Sequence, residues 1–99
     1  MDATFVKNLD GWQGDARLYK LSDTAQVETW DEARPVLSYG YVAVSGVNAF
    51  GMGYETYIFP TDENGEVLNW GELPGSFKGS IDHDRALESF LVYLTEEAA

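Results

Sequence analysis

The run from Tyr39 to Trp70 constrains the fold more than any other part of the chain. Three stretches rich in β-branched and aromatic residues, 36–47, 54–59 and 66–70, are separated by Gly, Pro, Asn and Asp. That pattern predicts three consecutive antiparallel strands, a β-meander centred on residues 36–70. In the first, Val42 and Val44 share one face while Tyr39, Tyr41, Ala43 and Ser45 share the other, so both faces carry apolar bulk. Such a strand belongs in the middle of a sheet. Pro60 lacks a ladder donor and is expected to end the second strand. Asp62-Glu63-Asn64-Gly65 is expected to form the hairpin turn, with Asn64-Gly65 suited to positive φ.

Elsewhere the signals are local. Phe5, Leu9 and Trp12 are spaced by four and three residues, so residues 1–12 read either as a short helix or as an N-terminal arm. Residues 15–21 alternate enough for a first strand that Ser22-Asp23 would end. Residues 24–34 read as a short edge strand near 26–30 or as a surface loop. After Trp70, a Gly- and Pro-containing loop would be pinned to the body by Leu73 and Phe77. Ser80 or Asp82 can then cap a helix over residues 82–95. On that helix Ala86, Leu87, Phe90, Leu91 and Leu94 make one apolar stripe, away from Arg85, Glu88, Ser89 and Val92. One stripe implies one buried face. The expected fold is a single α+β domain over 1–99: an antiparallel sheet of about four strands packed against one C-terminal helix, with 96–99 a frayed tail.

Composition enters where function is at stake. Ninety-nine residues that are 44% apolar support one core. The absence of Cys removes disulfides, thiol catalysis and Cys-based metal sites, and favours a reducing cytoplasm. No N-terminal signal pattern or membrane-length apolar run is present. Seventeen acids against six Lys and Arg give a formal net charge of −11, and ten of those acids fall in residues 50–99 with only two bases. A field of that sign repels nucleic acid and anionic lipid and attracts a basic protein surface. Solubility is the plainest use of such a charge.

Reactive chemistry is weakly signalled. His83, between Asp82 and Asp84, is the one imidazole. Consecutive helical positions point about 100° apart, so these three residues cannot converge on one ion. Asp62-Glu63-Asn64-Gly65 resembles the middle of a calcium loop, but the first ligand position then falls on Pro60 and the closing one on Gly71. Gly46 and Gly51 have the outer spacing of a phosphate loop, yet Met52-Gly53 stand where Lys and Ser/Thr are required. No cofactor or metal is expected, and the chain does not read as an enzyme.

The run Glu55 to Val67, with Trp70-Gly71-Glu72-Leu73-Pro74-Gly75-Ser76 and Asp82-His83-Asp84-Arg85-Ala86-Leu87, resembles a family of small acidic proteins encoded by bacteriophages of actinobacteria, including mycobacteriophages. The similarity extends to Ala16-Arg17-Leu18-Tyr19 and Tyr41-Val42-Ala43-Val44-Ser45, and residues 47–54 depart from it in being rich in glycine. The resemblance implies a phage accessory protein in the cytoplasm of an infected bacterium, and it carries over no catalytic residue.

Charge and resemblance together predict binding and modulation, by inhibition, of a host protein with a basic surface. The candidate contacts are Phe50 and Met52, apolar residues set among glycines, with Glu55, Asp62, Glu63, Glu66 and Glu72. The alternative use for Phe50 and Met52 is to cover an open end of the sheet. One variant of the binding reading is a nucleic-acid mimic, in which those carboxylates stand in a row for phosphates and block a host defence or transcription protein. A reading from another class is a small hydrolase or ligand-binding domain using His83, which requires His83 in a concave site. Trp70, ending a strand, is expected in the core, and Trp30 is expected on the surface.

Overall fold

The computed structural model describes residues 1–10, 16–29, 32–33, 35–45, 56–70, 73 and 83–98. They contain β1 (Ala3–Leu9), β2 (Ala16–Glu28), β3 (Val36–Ser45), β4 (Ile58–Thr61) and α1 (His83–Ala98). The strands form one antiparallel sheet in the order β1-β2-β3-β4, so each pairs with its neighbour in sequence. With α1 against one face, this is the expected α+β arrangement.

Register assigns the two faces. Tyr19 stands opposite Val42, and Val42 opposite Pro60; one residue along, Leu18 stands opposite Ala43, and Ala43 opposite Phe59. The first face supplies Tyr19, Leu21, Val42, Val44 and Ile58 to a cluster completed by Ala86, Leu87 and Phe90 of α1. Phe90 is fully buried, which contributes about 1.5–3 kcal/mol from removal of its surface from water. The second face is buried too, at Leu18, Ala43 and Phe59. There the hairpin after β4 folds back: Gly65 lies against Leu9 and Leu18, and the Trp70 ring meets Phe59 edge-on at 5.4 Å. Two covered faces explain why β3 carries apolar bulk on both sides.

Residues 3–9 are a strand rather than a helix. A helix this short is marginal in water, whereas pairing with β2 satisfies one edge of the backbone and suits Thr4 and Phe5, with a register shift at Val6. β2 does not end at Ser22-Asp23 but continues to Glu28, and this absorbs the segment read as edge strand or loop. The four residues Leu21–Thr24 stand opposite the single Gly40 of β3, an irregular bulge with three extra residues. Ser22 exchanges bonds with Asp2 (Ser22 N to Asp2 O, 2.8 Å; Asp2 N to Ser22 Oγ, 3.0 Å), and Asp23 Oδ1 accepts from Thr24 N at 2.8 Å. Residues that usually terminate strands are thereby accommodated inside one.

Pro60 lies within β4 instead of ending it. Its carbonyl accepts from Leu68 N at 2.9 Å, on the side away from β3, and a strand residue's N and O point the same way. The missing N–H therefore removes no bond to β3. Residues 66–70 form one bridge, Thr61 to Val67, and not the predicted strand. Leu73 is buried and donates its N–H to Ile58 O at 2.8 Å, so it pins the loop as expected; Phe77 lies outside the described residues. α1 carries the predicted stripe inward and runs three residues past the expected end, to Ala98.

Candidate interaction surface

The hairpin Asp62–Glu66 is built by its first residue. Asp62 Oδ1 accepts the Asn64 and Glu66 amides at 2.8 and 3.0 Å, Asp62 N donates to Glu66 O at 3.0 Å, and Gly65 N donates to Asp62 O at 3.1 Å. Gly65 takes φ +88°, which a residue without Cβ adopts at no cost. Asp62 is half-buried and committed to the turn, while Glu63 and Glu66 are exposed. The carboxylate that most resembled a calcium ligand thus serves the backbone. Among the described residues, no group of three or more His, Asp or Glu could hold a metal ion.

From Glu66 to Trp70 exposure alternates, with Glu66, Leu68 and Trp70 outward and Val67 and Asn69 half-buried. Trp70 is 63% exposed, contrary to the expectation of a core position. Among the described residues this segment forms one bridge and no strand that carries Trp70 into the sheet, and its ring meets Phe59, which itself stacks on Tyr57 at 6.2 Å. The signal was present in the sequence: at period two, Trp70 shares a face with Glu66. A cavity of about 430 Å³ opens beside it, with Asn64, Glu66 and Trp70 on one wall and Lys7, Leu9 and Asp10 on the other.

Asp62, Glu63 and Glu66 are therefore brought together on one hairpin, and Trp70 joins them. Phe50, Met52, Glu55, Glu72, Trp12 and Trp30 lie outside the described residues. The acidic groups are not confined to this side, since Asp84, Glu88 and Glu96 are exposed on α1, across the sheet. His83 is half-buried at the start of α1 and does not line the cavity beside Trp70. Among the described residues, no helix is long and apolar enough to cross a membrane.

Compared with known proteins, the chain matches no family model, no curated protein and no solved structure.

Proposed function

We propose that this chain is a phage accessory protein that binds and modulates, by inhibition, a host bacterial protein through an acidic surface. The observation that carries the reading is the exposed Trp70, supported from beneath by Phe59 and flanked by Glu66 at the mouth of a cavity. A large exposed aromatic is among the residue types that dominate binding energy at protein interfaces. The carboxylate of Glu66 beside it and that of Glu63, exposed on the same hairpin, within a chain of net charge −11, favour a partner rich in Lys and Arg. The two parts act differently: the field raises the rate of encounter and is screened by salt, while the aromatic anchor slows dissociation.

The test is capture of partners from an actinobacterial host lysate at low and high salt, with the parent chain, Trp70→Ala and the Glu63→Gln/Glu66→Gln pair. One basic protein recovered at low salt, weakened by both variants and lost at high salt, is the expected result. Recovery of no specific partner at either salt overturns the proposal, as does capture indifferent to both variants.

A further inference from the structure

The helix side of the sheet holds a second concavity of about 550 Å³, between α1 and the start of the chain. Its floor is apolar: Leu87, Leu91 and Val92 from α1, and Met1. Its rim is acidic, with Asp2, Asp84, Glu88 and Glu96. We propose that this groove docks a Lys- and Arg-bearing amphipathic helix of a partner protein. The site lies across the sheet from Trp70 and does not depend on that residue.

Helix periodicity produces the groove's chemistry. Asp84, Glu88, Val92 and Glu96 follow one another at intervals of four and so form one row along α1. From Asp84 to Glu96 the row runs about 18 Å, the length of a twelve-residue helix. Leu91, at the edge of the stripe that packs on the sheet, is half-buried, and Val92, off that stripe, is 53% exposed, so apolar surface extends beyond the core into the groove. Burying Ala86, Leu87 and Phe90 does not require Val92.

Charge selects the occupant. Like charges at i and i+4, as at Asp84 and Glu88, destabilise a helix rather than support it. Arg17 offsets this little. Arg17 Nη1 is 3.7 Å from Asp84 Oδ1 with both side chains exposed, an arrangement that contributes little to stability. The Met1 ammonium donates to Thr95 Oγ1 at 3.1 Å. A helix with an apolar stripe and flanking Lys or Arg would cover Leu91 and Val92 and pair the rim carboxylates, the usual helix-in-groove mode. A purely apolar segment would instead strip water from rim carboxylates that it cannot pair. A second copy of this chain, also at −11, would place acid against acid.

The test uses the full chain, isotope-labelled for NMR, and a fourteen-residue Leu/Lys peptide with leucines at helical spacing. The controls are a scrambled peptide of identical composition and a Leu/Glu peptide of identical pattern. The patterned Leu/Lys peptide should bind at least about tenfold more tightly than its scramble, a difference of about 1.4 kcal/mol, and should shift the amides of residues 87–96 and of Asp2. Glu88→Gln/Glu96→Gln and Val92→Ser should each weaken it while leaving helical circular dichroism unchanged, since all three side chains are exposed. Trp70→Ala should leave it unaffected, which separates this site from the hairpin surface. Equal binding of the scramble overturns the proposal by reducing the effect to bulk charge, and shifts centred on residues 62–70 overturn it by moving the site.

Discussion

Replacing Gly65 by Ala tests how the hairpin is held against the second face of the sheet. Two costs add. A side chain at φ +88° lies in the left-handed region, which costs about 1–2 kcal/mol for an L-residue. The new Cβ would also overlap Leu9 Cδ2 and lie 3.6 Å from Leu18 Cδ2. Leu18 is fully buried and has no room to retreat, so Leu9, half-buried at the end of β1, must turn away. An off-rotamer leucine costs about 0.5–1.5 kcal/mol. Ala also restricts the unfolded chain, which returns about 0.4–1 kcal/mol. The net destabilisation is then about 0.5–3 kcal/mol, and each kcal/mol lowers the midpoint by about 4–8 °C in a domain of this size. Urea denaturation measures it directly. In the Leu9→Ala background the collision disappears while the backbone cost stays, so the double-mutant cycle should show a coupling of about 0.5–1.5 kcal/mol. A Gly65→Ala variant within about 0.5 kcal/mol of the parent would refute the reasoning, because surface substitutions that disturb nothing fall in that range.

Three further outcomes follow from the same geometry. Phe90→Ala, at a fully buried position of α1, should cost about 3–5 kcal/mol in urea denaturation, whereas Val92→Ala two residues on should cost under about 0.5 kcal/mol. Comparable losses at the two sites would mean that the buried face of the helix is misassigned. Asp62→Ala removes the acceptor for two amides and should cost about 1–2 kcal/mol, while Asp62→Asn, which keeps a side-chain carbonyl, should cost less. Burial, and to a smaller degree the Tyr93 phenol, push the Tyr39 hydroxyl up to about 12 from 10.0. The neutral phenol is the form favoured on folding, so this stability is fully present below pH 10 and is lost as pH rises from 10 towards about 12. The loss amounts to at most about 2–3 kcal/mol, and Tyr39→Phe should remove that alkaline limb from the stability profile.

The parts of the fold legible in the sequence are those whose signal is complete within one segment. The stripe Ala86, Leu87, Phe90, Leu91 and Leu94 specifies a helix and its inner face by its own spacing, and Asn64-Gly65 specifies its turn by the φ that only some residues tolerate. The misreadings share a cause. Ser22-Asp23 reads as a terminator because strand-breaking residues usually face solvent without partners; here Asp2, far away in sequence, supplies bonds to Ser22. Pro60 reads as a stop because its ring lacks a donor, yet the direction in which its nitrogen points depends on which side β3 lies. The candidate surface divides in the same way. Glu63 and Glu66 stand out in the sequence by charge alone, whereas the exposure of Trp70 depends on residues 66–70 not joining the sheet.

From the chain of letters alone one obtains the α+β class, the inward face of α1, the tight turn at Gly65 and a strongly negative exterior, because each is a property of side chains close together in sequence. Folding in three dimensions decided that residues 3–9 are a strand, that β2 runs through its bulge, that Trp70 stands on the surface, and that an apolar floor and an acidic rim meet beside α1. Each of these depends on partners that are distant along the chain, as when the Met1 amine meets Thr95 across a separation of 94 residues. Backbone donors and apolar faces are indifferent to which segment satisfies them, so only the packed structure selects among the competitors.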